Sequence, residues 1–175
     1  IAFNKQNSIL QRGILVNPIQ NVIYIFGDIF YYFYNDDTFK EVNERVYEQL
    51  YHNISQMHLL GYSLGSLVAF CALQQKPQLA RKVKSLIWIG SPAFWFATEL
   101  NRLCYPSKDP IQGNFINLSG KLDIAWPQMA SQVIKCFDEE INFLIHPFNP
   151  IKGHSSYFKN SNSLKKIGDI LQKIL

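Results

Sequence analysis

Ser63 stands in Gly61-Tyr62-Ser63-Leu64-Gly65, a turn with a glycine two residues away on either side. Glycine leaves room for a strained backbone, so the serine oxygen could stand clear of the chain. The backbone N–H of Leu64 would then open a helix and face the same space, where it could donate to an oxyanion. The chemistry implied is nucleophilic attack on a carbonyl. A serine hydroxyl is a poor nucleophile at neutral pH. It needs a base within hydrogen-bond reach and a carboxylate to orient that base.

Four histidines are candidates for the base. His52 ends a predicted helix, and His58 lies inside a short apolar strand. His146 ends a late strand, and His154 stands in Lys152-Gly153-His154-Ser155. The carboxylate candidate is Asp123, in Ser119-Gly120-Lys121-Leu122-Asp123, just before Trp126-Pro127. Each residue also has a plainer reading. Ser63 could be incidental to a glycine-rich turn, Asp123 an acid favoured by a helix dipole, and His154 an exposed loop residue. The elements around them decide.

Residues 1–21 are weakly patterned, with a short strand at Ile14–Val16, and Asn21–Phe26 reads as a strand rich in Val, Ile and Tyr. Thr38 and Glu41 form a capping box for a helix whose buried face is Phe39, Val42, Val46, Leu50 and Ile54. Met57–Leu60 is a strand entering the Ser63 turn, and Ser66–Gln75 a helix leaving it. Lys84–Ile89, Asn114–Leu118 and Ile141–Ile145 are further strands. A helix runs from Pro127 to about Glu139 with Met129, Val133 and Phe137 inward. The last helix, Ser163–Leu175, carries Leu164, Ile167, Leu171 and Ile174 on one stripe. Continuous apolar strands alternating with helices predict an α/β fold. The expected core is a mostly parallel sheet of about five or six strands, covered on both faces, in one domain spanning residues 1–175.

Gly61-Tyr62-Ser63-Leu64-Gly65-Ser66, between a strand and a helix, resembles the nucleophile elbow of the α/β-hydrolase superfamily. The order serine, acid, histidine is also similar to that superfamily's, and the resemblance covers about residues 22–175. It implies Asp123 as the acid, in a turn after a strand. It implies His154 as the base, in a loop before the last helix, with His146 the alternative. The second oxyanion donor would come from Phe26-Gly27-Asp28, similar to the family's His-Gly-x turn with Phe in place of His. There Gly27 would let the backbone approach the substrate, and the N–H of Asp28 or Ile29 would donate. Asp28 could instead cap the segment that follows. The spacing from Gly27 to Ser63 is short for the family, as is segment 90–113. A reduced core with little or no lid is expected, in which Phe94, Trp95 and Phe96 either line an acyl pocket or cover the sheet edge.

The sequence of 175 residues is 47% apolar and 17% charged, which excludes a disordered chain. The net charge of +4 comes from scattered basic residues, so no nucleic-acid footprint is present. Cys71, Cys104 and Cys136 lack metal-ligand spacing and read as free thiols of a reducing compartment. That points to a cytoplasmic protein, although the chain starts at Ile1 and a leader could have been removed. No apolar run is long enough to cross a bilayer. The resemblance implies a serine hydrolase acting on a carboxylic ester or thioester, small or carrier-bound, without metal or organic cofactor. The alternative is a non-catalytic α/β-hydrolase-like binding or assembly module.

Overall fold

A computed structural model describes residues 18–52, 56–104, 109–126, 136–144 and 150–174. Its order is α1 (Pro18–Tyr34), α2 (Asp36–His52), β1 (Met57–Tyr62), α3 (Leu64–Gln75), α4 (Pro77–Ala80), β2 (Val83–Ile89), α5 (Ala97–Cys104), β3 (Asn114–Lys121), β4 (Glu139–Leu144), α6 (Pro150–Ser155) and α7 (Ser161–Ile174). The expected strand at Ile14–Val16 lies outside the described residues, as do most of the helix after Pro127 and His146.

Among the described residues the sheet has four strands in the order β1-β2-β3-β4, every neighbouring pair parallel. Parallel pairing puts the carboxyl ends of all four strands along one edge. β2 shows why the strands read as continuous apolar runs. Leu86 and Trp88 join one buried cluster, while Ile87 and Ile89 join another on the opposite face. The first cluster lies under α1 to α5 and holds Phe70, Trp88 and Phe115 in mutual ring contact. Burying a side chain of this kind contributes about 1.5–3 kcal/mol. The second cluster packs Ile116, Leu118 and Phe143 against Ile167 and Ile170 of α7.

The expectation of five or six strands fails chiefly at Asn21–Phe26, which is helical and belongs to α1. Its Val, Ile and Tyr favour a strand locally, but the helical period prevails over the longer segment. Phe26, Ile29, Tyr32 and Phe33 are buried at spacings of three, three and one, a single helix face. Pro18 suits the first helical position.

Three smaller corrections follow from side-chain positions. The cap of α2 is Asn35, whose Oδ1 accepts from the Thr38 amide at 2.8 Å, so Thr38 lies inside the helix. Glu139 opens β4 and residues 136–138 are not helical, so no helix runs to about Glu139 as expected. In α7 the buried pair is Ile167 and Ile170, with Leu171 half-buried, whereas Leu164 is exposed.

Candidate active site

Ser63 stands where β1 turns into α3, with φ 50° and ψ −126°. A positive φ at a residue with a Cβ costs on the order of 1–3 kcal/mol and persists only where its surroundings enforce it. Those surroundings are specific. The Ser63 amide donates to the Ile89 carbonyl at 3.0 Å, tying the turn to β2. The Ser63 carbonyl accepts from the Ser66 amide at 3.0 Å and the Ser66 hydroxyl at 2.5 Å. Ser66 Oγ also lies 2.8 Å from Ser91 Oγ, in the loop after β2.

The two glycines differ in their need. A Cβ on Gly61 would stand 2.5 Å from Ser66 Cα, so only glycine fits where β1 passes α3. A Cβ on Gly65 would meet nothing, so no steric requirement holds that position. Leu64 is the first residue of α3, where helix amides have no intrahelical acceptor. Its N–H is therefore positioned as a donor beside Ser63.

Asp123 follows β3 in a turn closed by its amide on the Gly120 carbonyl at 3.0 Å, with Leu122 at φ 68°. Its Oδ1 accepts from the Ala125 amide at 2.8 Å. The side chain has no exposed surface. His154 is likewise buried, and lies in α6 rather than in the loop expected from the sequence. Its Nδ1 is 3.0 Å from Asp123 Oδ1 and 3.3 Å from Oδ2, and its Nε2 is 2.9 Å from Ser63 Oγ. A carboxylate only accepts, so Nδ1 carries the proton and Nε2 is left to accept from the serine hydroxyl.

Gly90, at φ 55°, packs against this group. A Cβ there would lie 2.7 Å from the Tyr157 ring and 3.0 Å from Asp123 Oδ2. Tyr157 and Tyr62 both touch the Asp123–His154 pair, and the sequence reading missed them. Their signal was their place beside Ser63 and three residues after His154.

Other expected residues sit elsewhere. Gly27 and Asp28 lie inside α1, both exposed. The amide of Asp28 or of Ile29 is therefore engaged in helical hydrogen bonding and offers no second oxyanion donor. Asp28 caps nothing either, because α1 continues to Tyr34. Phe96 is buried against Phe26, Phe30 and Phe33 and belongs to the core. Trp95 is half-exposed, and its indole N–H donates to the Ile124 carbonyl at 2.7 Å, beside Asp123. Phe94 meets the Trp95 ring edge-on. His58 pairs with Ser85 on the sheet, away from Ser63. His52 is exposed at the end of α2.

Among the described residues no cluster of His, Cys, Asp and Glu could hold a metal ion. No helix among them is long and apolar enough to cross a membrane. Cys71 and Cys104 are buried thiols, and Cys136 is half-buried.

A parallel sheet with helices and a strained serine turn at its carboxyl edge make this an α/β fold. A sequence model of the alpha/beta hydrolase fold matches residues 24–109, a span that contains Ser63 and stops before Asp123 and His154. The match supports membership of the α/β-hydrolase superfamily, whose members are mostly hydrolases. Searches of curated proteins and of solved structures returned no match to the chain.

Proposed function

We propose that the protein is a serine hydrolase that cleaves a carboxylic ester or thioester through an acyl-enzyme. The observation that carries this reading is the unbroken line from Ser63 Oγ through His154 to Asp123, at 2.9 Å and 3.0 Å. His154 Nε2 takes the serine proton as Oγ attacks the carbonyl, and returns it to the leaving group. Asp123 holds the tautomer and stabilises the imidazolium that forms. The Leu64 amide donates to the oxyanion. Water then attacks the acyl-enzyme by the same route, with no cofactor in any step. Phe94 and Trp95, next to the acid turn, favour an apolar acyl group, either small or carried by an acidic partner to which the net charge of +4 is suited.

A binding or assembly module without activity is the second reading. It is favoured by one observation, the helical placement of Gly27–Asp28, which removes the expected second oxyanion donor. A fluorophosphonate probe separates the two readings. The hydrolase reading expects covalent labelling of Ser63 that is lost in Ser63→Ala and His154→Ala. Folded wild-type protein that resists the probe would falsify it.

A further inference from the structure

Two tyrosines contact the acid–base pair without a role in those steps. Tyr157 is wholly buried, and its hydroxyl donates to Asp123 Oδ2 at 2.5 Å. The Tyr157 hydroxyl oxygen in turn accepts from the Gly120 amide of β3 at 2.7 Å. Tyr62, the residue before the nucleophile, stacks its ring on the imidazole with centroids 5.3 Å apart and planes at 22°. Its hydroxyl donates to the His154 carbonyl at 2.6 Å.

We propose that Tyr157 and Tyr62 are positioning residues, Tyr157 fixing the plane of the Asp123 carboxylate and Tyr62 fixing His154 against Ser63. The inference rests on the serine hydrolase reading. Asp123 has no exposed surface, so Oδ2 has no bulk water to hold it. Without the phenol, its remaining polar contact among the described residues is the 3.3 Å approach of His154 Nδ1. The Ala125 amide fixes Oδ1 alone, and one fixed oxygen leaves the carboxylate free to turn. The phenol supplies the second point. It remains a neutral donor, because burial and then the charge of Asp123 hold Tyr157 well above the ordinary tyrosine value.

Packing alone does not account for the hydroxyl. The Tyr157 ring meets Phe143 edge-on and Tyr62 likewise, contacts that phenylalanine would also make. The space for the ring exists because residue 90 is glycine. On the other side of the base, Tyr62 is continuous with the nucleophile turn. It therefore holds both reacting groups in one frame.

The test uses the full chain with a p-nitrophenyl ester and a fluorophosphonate. Tyr157→Phe should lower kcat about tenfold, as expected for losing one hydrogen bond to a charged group, with KM within about twofold. The acidic limb of kcat/KM should move to higher pH, because a carboxylate that has lost a donor favours the imidazolium beside it. The low-field proton resonance of His154 Nδ1–H should shift as well. Tyr62→Phe should lower kcat about threefold, and Tyr62→Leu, which also loses the stacked ring, should lower it further. Wild-type rates in these variants, or lower rates with pH profile and resonance unmoved, overturn the proposal while wild type still labels. Failure of wild type to label overturns the hydrolase reading itself, and the proposal with it. Tyr62 is only half-buried, so its variants decide the matter if Tyr157→Phe does not fold.

Discussion

Replacing Asp123 with Asn removes a charge but keeps the shape, and the surrounding donors dictate which way the amide must face. At Oδ1 the donors are the Ala125 backbone N–H at 2.8 Å and His154 Nδ1 at 3.0 Å. At Oδ2 the close donor is the Tyr157 hydroxyl at 2.5 Å. A backbone N–H cannot turn away, but a hydroxyl can. The amide oxygen therefore takes the Oδ1 place, and the NH2 faces Tyr157. The His154 tautomer survives, so kcat should fall by less than the ~10⁴ associated with tautomer reversal at such a site. The cost moves to Tyr157, whose proton loses its acceptor in a buried place, about 1–3 kcal/mol of stability. Tyr157→Phe should then cost about 2 kcal/mol in the wild type but no more than about 1 kcal/mol beside Asp123→Asn. Urea unfolding of the two single variants and the double variant measures this coupling. Strictly additive costs would show that the amide faces the other way, or that Tyr157 does not serve Asp123.

Other perturbations have equally specific outcomes. Gly61→Ala forces a methyl to within 2.5 Å of the α3 backbone and should cost about 1–3 kcal/mol, with weaker Ser63 labelling. Gly65→Ala meets open space in the first turn of α3 and should leave stability, read from urea unfolding, unchanged or raised by up to about 1 kcal/mol. Stability should fall at alkaline pH. Burial raises Tyr62 from 10.0 to about 12, so between those values the unfolded chain loses the proton that the folded chain keeps. The stabilisation is complete below the lower value and disappears as pH rises through the upper one. Melting temperatures should decline across that window, and less steeply in Tyr62→Phe; equal slopes would contradict the assignment. Trp95→Phe removes the bond to the Ile124 carbonyl and should cost about 0.5–1.5 kcal/mol, read from the urea midpoint.

The parts of the site legible in the sequence are those with a local signal. Ser63 announced itself by two glycines between a strand and a helix, and Asp123 by a turn after a later strand. His154 came from chain order. What escaped depended on long-range packing. Asn21–Phe26 has strand-forming residues, and only the spacing of Phe26, Ile29 and Phe33 over the longer segment reveals the helix that absorbs Gly27 and Asp28. The cap of α2 was misplaced because Thr38 and Glu41 match a familiar spacing, whereas Asn35 caps from just outside the helix. Tyr157 stands three residues after His154, but no local pattern ties it to Asp123. Its partner Asp123 is 34 residues away, and Gly90, which admits its ring, lies on another strand's end.

The sheet is threaded in chain order, which has a consequence for how the molecule assembles. Each strand pairs with the next one in sequence, so the sheet can form pair by pair through modest loop closures. The contact between Ser63 and His154 spans 91 residues and joins segments leaving opposite edges of the sheet. With the Tyr62 bond to the His154 carbonyl, which spans 92 residues, it is among the longest closures in the site and belongs to the finished sheet. During refolding, reactivity of Ser63 should therefore lag behind the far-ultraviolet signal of helices and strands. If Ser63 is the nucleophile, as proposed, its reactivity is a clock for the final step of folding, and a chain interrupted before α6 would have a sheet without a reactive serine.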